Sequence, residues 1–294
     1  MVSPKVSGFT FIRNGMQLGY PFIASIQSIL PIVDEFVIAV GESEDDTLSQ
    51  IQALNEPKIR IIQTVWNENM RDKGYVYGQQ KMIAQFNCTG DWAFYLEGDE
   101  VVHENDLIKI KSAMQTYWHD DNVEALVFDY YHFYGNENTC LNSPAWYRTE
   151  ARIIKNSVRS YAPDGLFWLV LEKNKIGRYP KAAHTHASIY HYGWMRNEDK
   201  MNLKIKKIQP YWDKNNSSKA IEKIDYKEID ATTLELFEGT HPAVIQEWLP
   251  KSEGLFIANS THQLTRREKK HRISRKIEKL FSIDLIKKHY QLVK

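Results

Sequence analysis

An aromatic and branched run, Trp92-Ala-Phe-Tyr-Leu96, leads straight into Glu97-Gly98-Asp99-Glu100. Three carboxylates gathered about one glycine repel one another unless something cationic lies between them. The run reads either as a solvated acidic turn closing a strand, or as an oxygen-rich site for a hard divalent ion, Mg²⁺ or Mn²⁺, which in turn holds phosphate oxygens. A second acidic stretch is Gly41-Glu42-Ser43-Glu44-Asp45-Asp46-Thr47. Acids there can accept hydrogen bonds from a nucleobase imide or ribose hydroxyls, and they equally suit a helix N-cap. Arg71 and Lys73 stand just before a helical pattern, where cations oppose the helix dipole. A bound phosphate would account for them, as would two solvated surface cations. Far downstream, His186-Ala-Ser-Ile-Tyr-His191-Tyr-Gly193-Trp194-Met-Arg196 puts a histidine beside Gly and Trp. His191 reads as a closing metal ligand or as a satisfied core or surface histidine.

Several chemistries are excluded. Arg13-Asn14-Gly15 follows the first strand pattern in place of a Gly-rich phosphate loop, which argues against dehydrogenases and P-loop kinases. There is no Gly-x-Ser-x-Gly elbow and no His-Glu-x-x-His helix. Cys88 and Cys140 have no metal spacing and make no disulfide framework, which points to a reducing, cytoplasmic setting. The first eight residues lack the apolar region of a signal peptide, and no apolar stretch is long enough to span a bilayer.

The elements that must position these residues alternate. Strand patterns at residues 6–12, 35–40, 58–65, 91–96 and 123–131 are separated by helical patterns at 21–32, 46–54, 73–86 and 105–118. That order predicts an α/β fold with a mostly parallel sheet and helices on both faces. Ligands of such sheets bind beyond the carboxyl ends of the strands, where Glu97-Gly98-Asp99 falls. The second half is less regular. Strands are expected at 148–155 and 189–194, with a loop-rich stretch at 160–181 and a loop at 215–219. The division expected is one domain over 1–260, with a nucleotide-binding half (1–135) and an acceptor half (136–260), followed by a helical tail over 261–294.

Net charge over the 294 residues is +1, so no overall field points to nucleic acid. The charge is unevenly spread: residues 266–294 hold eleven Lys or Arg against three acids. Ile273, Ile277, Leu280 and Phe281 recur at helical spacing among them. This is the pattern of an amphipathic helix on an anionic membrane surface, and also of a helix docked on its own domain with a solvated basic face.

In order and spacing, these segments resemble family-two glycosyltransferases with the GT-A fold. The matching segments are Phe9-Thr-Phe-Ile-Arg13-Asn14, Ser25-Ile-Gln-Ser-Ile-Leu30, Ser43-Glu-Asp45-Asp-Thr47 and Gly90-Asp91 through Asp99-Glu100. The likeness covers residues 6–135 well, reaches His191 more loosely and does not include the tail. The family's Asp-x-Asp metal motif is here Glu97-Gly98-Asp99, a departure in its first acid.

The resemblance implies Mn²⁺ or Mg²⁺ on Asp99, with Glu97 on ribose or metal and His191 completing the coordination. It places Arg13 and Asn14 in the nucleotide-sugar site, Glu42 and Asp45 on base and ribose, Arg71 on phosphate and Arg196 on the diphosphate. It implies transfer of a sugar from a UDP-, GDP- or dTDP-linked donor to a glycan or lipid-linked acceptor at the cytoplasmic side of a membrane. An inverting reaction requires a carboxylate base on the acceptor hydroxyl. Asp164, in Tyr161-Ala-Pro-Asp164-Gly165, lies in the expected stretch, and Asp129 and His132 are its rivals. The competing readings are a nucleotidyltransferase, for which the loop after the first strand is too short, and a non-catalytic nucleotide- or glycan-binding member of the fold.

Overall fold

The computed structural model describes residues 2–70, 72–212 and 223–293. Arg71 and the loop expected at 215–219 lie outside them. The first half contains β1 (Val6–Ile12), α1 (Phe22–Ile29), β2 (Glu35–Gly41), α2 (Thr47–Ala53), β3 (Ile59–Thr64), α3 (Tyr75–Phe86), β4 (Trp92–Tyr95), β5 (Glu100–Val102), α4 (Leu107–Tyr117) and β6 (Ala125–Tyr134). The second half contains β7 (Asn136–Leu141), β8 (Thr149–Lys155), β9 (Ser160–Tyr161), β10 (Leu169–Leu171), β11 (Gly177–Arg178), β12 (Lys181–Trp194), α5 (Glu198–Trp212), β13 (Leu234–Leu236), α6 (Arg266–Phe281) and β14 (Gln291–Leu292).

Eleven of the described strands form one sheet in a mixed α/β fold. Eight are ordered β13-β7-β6-β8-β4-β1-β2-β3, and β12 lies against β6, β5 and β14. β3, β2, β1 and β4 run parallel, as strand–helix alternation predicts. Beyond β4 the directions mix: β8 is antiparallel to β4 and β6, β7 to β6, and β5 to β12. The sheet is therefore mixed rather than mostly parallel. For β6 and β7 the reason is local: Gly135 alone, at φ +73°, joins them, and so short a connection permits only antiparallel pairing.

Alternation along the strands covers both faces of the sheet. Phe36, Ile38 and Val40 of β2 pack in one cluster with Ile26 and Ile29 of α1 and Ile110 and Met114 of α4. Val37 and Ala39 pack in a second cluster with Met82 and Ala84 of α3. The stretch expected to be loop-rich holds a small antiparallel sheet, β9-β10-β11. The short strand expected at 189–194 is the end of the fourteen-residue β12. After α6 the chain returns to the body, where Gln291 and Leu292 pair with Lys181 and Ala182 of β12. No helix among the described residues is long and apolar enough to cross a membrane.

Candidate active site

β1 and β4 are adjacent and parallel. The segments leaving their carboxyl ends, Arg13-Asn14 and Glu97-Gly98-Asp99, open onto one cavity of about 380 Å³. The Thr10 hydroxyl donates to Leu96 O at 2.6 Å and ties the two strand ends together. α5 closes the cavity with Lys204, Lys207, Ile208, Tyr211 and Trp212. Their spacing places them on one helix face.

The acids are held by buried cations from later in the chain. Arg152 of β8 grips Glu100 through two nitrogens, at 2.8 and 2.7 Å, and reaches Glu97 Oε1 at 3.1 Å. Tyr130 Oη donates to Glu100 Oε1 at 2.9 Å. Burial alone would raise the Glu100 pKa, but Arg152 keeps it below its ordinary value. Glu97 goes the other way: burial, with the Glu100 charge adding, pushes it up to about 8. For Asp99, burial is overcome by Lys204 Nζ at 3.2 Å and Arg196 Nη2 at 3.0 Å, which hold it well below the carboxylate range. Lys204 is brought down to about 8 by its own burial and by Arg196.

A histidine pair stands beside Asp99. His132, His191 and Glu100 sit opposite one another on β6, β12 and β5. His132 Nε2 lies 2.7 Å from Tyr147 O, which can only accept, so that nitrogen carries a proton. Burial lowers the His132 pKa well below normal, so the ring is neutral and its Nδ1 is bare. His191 Nδ1, 2.9 Å away, must then donate to it. Burial lowers the His191 pKa as well, leaving Nε2 as a lone pair 3.8 Å from Asp99 Oδ1. Two lone-pair donors face each other across a gap. Gly193 backs it: a Cβ there would fall 2.5 Å from His191 Nε2 and 3.2 Å from Asp99 Oδ2.

Asp99 and His191 could hold a divalent ion only if other ligands completed its shell. Among the described residues no group of three His, Cys, Asp or Glu side chains could hold a metal. One carboxylate and one imidazole suffice when phosphate oxygens and water fill the remaining positions, as is usual for Mg²⁺.

The same cavity has an aromatic wall. Tyr77 stacks on Trp212 at 5.9 Å and 17°, and meets Trp66 and Tyr211 edge-on at 5.3 and 5.5 Å. Arg13 lies over the Trp66 ring at 5.3 Å and pairs with Glu68 at 2.6 Å. Asn14, at φ +55°, accepts from Glu44 N at 2.8 Å and so positions Glu44 at the rim. Asp164 lines the cavity from the loop after β9, and burial raises its pKa. The neighbouring Gly165 O accepts from the buried Lys81 ammonium at 3.0 Å.

Of the residues singled out in the sequence, Arg13, Asn14, Glu97, Asp99, Asp164 and His191 converge here. Others do not. Glu42 is exposed outside the cavity, and its backbone oxygen accepts from Arg13. Asp45 is occupied within the turn before α2: its oxygens accept from Gln17 N, Thr47 N and the Thr47 hydroxyl. Arg196 is buried outside the cavity lining and donates to Gly19 O, Gly193 O and Asp99, so it braces Asp99. Asp129 points out of β6 toward His184, 3.3 Å away. Arg71 lies outside the described residues. Sequence reasoning missed Arg152, Lys204, Lys207 and the aromatic wall. The helical spacing of Lys204, Lys207, Ile208 and Tyr211 was the signal that could have found the α5 face.

No family model matches the chain, and no curated protein does. Solved structures resemble it distantly. TarS of S. aureus aligns at 13% identity and TM-score 0.40, over 69% of this chain and 39% of that one. Mannosyltransferase PcManGT from Pyrobaculum calidifontis, in complex with GDP-Man and Mn²⁺, aligns at 15% identity and TM-score 0.38, over 56% of this chain and 51% of that one. Glucosyl-3-phosphoglycerate synthase from Mycobacterium tuberculosis, in complex with Mn²⁺, UDP-glucose and glycerol 3-phosphate, aligns at 16% identity and TM-score 0.31, over 43% and 44%. The chain spans less than half of the first and third and about half of the second.

Proposed function

We propose that the chain is a glycosyltransferase that moves a sugar from a nucleotide-sugar donor to an acceptor hydroxyl, with Mn²⁺ or Mg²⁺ bound. The observation that carries this reading is the bare His191 Nε2 facing Asp99 Oδ1 at 3.8 Å over Gly193. That gap opens into a cavity that also carries an aromatic wall and lysines. Such a cavity matches a nucleoside diphosphate: a planar base for Trp66 and Tyr77, and negative oxygens for the ion and Lys204. Asp99 and His191 would hold the metal, which supplies neutralisation of the charge that builds on the departing diphosphate. Lys204 and Lys207 add fixed positive charge for the same purpose. Glu97, protonated below pH 8 or so, can donate to a ribose or sugar oxygen.

Asp164 serves as the base. Its raised pKa moves it toward the range where a carboxylate takes a proton usefully. As the acceptor oxygen bonds to the anomeric carbon, its proton passes to Asp164 and the carbon–oxygen bond to the diphosphate breaks. A base opposite the leaving group makes the reaction inverting. The acceptor is a glycan or a lipid-linked glycan.

The test is a donor screen, scoring hydrolysis of UDP-, GDP- and dTDP-sugars without acceptor, alongside calorimetric titration of each nucleoside diphosphate with and without Mn²⁺. Metal-dependent binding of one diphosphate and slow hydrolysis of its sugar conjugate are expected. Metal-dependent binding with no turnover on any donor would favour a non-catalytic binding protein. Absence of metal-dependent nucleotide binding would overturn the proposal.

A further inference from the structure

The basic segment after residue 265 has no part in the catalytic cavity, and its orientation is the reverse of an ordinary surface helix. α6 begins with a capping box in which Thr265 and Glu268 satisfy each other's backbone groups. The helix is then fastened to the body by its polar side. Arg272 grips Asp230 at 2.7 and 2.8 Å, Arg275 donates to Thr232 O at 2.6 Å, and Glu278 pairs with Arg148 at 2.9 Å. With that face turned inward, the apolar stripe looks out: Ile273 is 60% exposed, Leu280 76% and Phe281 64%, with Ile277 also exposed. These positions lie one and two turns apart on one side of the helix. Ile283 and Leu285 continue the exposed apolar surface past its end.

The charges are segregated as well. The segment's three acids are all engaged on the inner side or locally. Glu268 is bound by Thr265 and His262, Glu278 by Arg148, and Asp284 by Arg148 and Lys288. Arg266, Arg267, Lys269 and Lys270 precede the stripe and Lys276 lies beside it, all of them exposed. From Ile273 to Phe281 the outward face is thus apolar, over about 12 Å at 1.5 Å per residue, while the exposed residues of the turns before it, Arg266 to Arg272, are all cationic and no acid of the helix is exposed. We propose that α6 is a docking element for an anionic lipid bilayer, lying in the plane of the interface. Its apolar stripe enters the acyl boundary and its Lys and Arg meet the headgroups. Charge complementarity selects this occupant: a second copy of the chain would set cation against cation.

The experiment is co-sedimentation of the full chain with vesicles of neutral phosphatidylcholine, and with vesicles containing about 30 mol% phosphatidylglycerol, at ~0.1 M salt. The unaltered chain is expected to bind the anionic vesicles at least ~tenfold more tightly than the neutral ones. Ile277→Ser, Leu280→Ser and Phe281→Ser combined keep the charge and should abolish that binding. Lys269→Gln, Lys270→Gln and Lys276→Gln combined keep the stripe and should bring binding down to the neutral-vesicle level. All six side chains are exposed, so unchanged thermal unfolding is expected and is checked in parallel. Equal binding to both vesicle types, or full binding by the serine variant, would overturn the proposal. So would a concentration-dependent dimer that the serine variant loses while vesicle binding is absent.

Discussion

His132 Nδ1 and His191 Nδ1 lie 2.9 Å apart, with room for one proton between them. Because Tyr147 O claims the other His132 nitrogen, that proton belongs to His191, and the far side of the His191 ring is left bare. A backbone carbonyl two side chains away therefore decides which atom is available to a metal. This arrangement of an outer partner fixing a ligand's tautomer is a general feature of metal sites.

His132→Phe keeps a flat ring but removes the acceptor. His191 is then free to carry its proton on Nε2, facing Asp99. Mn²⁺-dependent binding of nucleoside diphosphate should weaken ~10–100-fold, the usual cost of losing such a partner. Metal-free nucleotide binding should stay unchanged. Calorimetry with and without Mn²⁺ separates the two, and equal losses in both would show that His132 acts only through packing.

Gly193→Ala tests the gap itself. The added methyl would stand 2.6 Å from His191 Cε1 and must displace the ring. The expected outcome is loss of the Mn²⁺-dependent part of nucleotide binding. Retained metal affinity would place the ion elsewhere.

Glu97 gives a pH prediction. Folding lifts its carboxyl to about 8, whereas an unfolded glutamate titrates near ~4.3. Between those values the folded chain keeps a proton that the unfolded chain has released, so rising pH favours unfolding through this group. Glu97→Gln has no such proton. Its stability relative to the unaltered chain should climb from pH 5 to pH 8, by at most ~1.4 kcal/mol per pH unit. Chemical unfolding across that range measures it, and parallel curves would mean that Glu97 is ionised throughout.

Trp66→Ala removes part of the aromatic wall. Base stacking on an aromatic side chain is worth about 1–3 kcal/mol, so diphosphate affinity should fall roughly ten- to hundredfold. Inorganic pyrophosphate has no base, and its affinity in the presence of Mn²⁺ should not change. A matched loss for both ligands would remove Trp66 from base recognition.

The strand entering Glu97-Gly98-Asp99 and the alternation on either side of it are legible in the sequence because local pattern and burial agree there: Trp92 to Leu96 are all buried. Arg152 is not legible. A charged residue in Arg148 to Lys155 looks like the solvent face of a strand, and only the neighbouring β4 and β6 show that it is buried between two glutamates. The apolar pattern reveals less than half of β12, because His184, Thr185 and His186 interrupt it where the register against β6 shifts. Arg196 and Asp45 have the residue types of ligands, yet the fold uses them as braces. Residue type alone does not separate a brace from a ligand; its place outside the cavity and the partners it already holds do.

Tyr192 N–H donates to Asp99 O at 2.8 Å, and β12 pairs with β5 at His191 and Glu100. The two residues proposed to share the ion thus sit on segments stitched together by backbone bonds that must open before the Tyr192 amide can exchange with solvent. A ligand spanning Asp99 and His191 acts as a latch on that opening. At a hundred times its dissociation constant it adds about 2.7 kcal/mol to the closed state, and exchange slows ~hundredfold. The proton on Tyr192 nitrogen is therefore a spectator that records occupancy of the site without touching anything bound there.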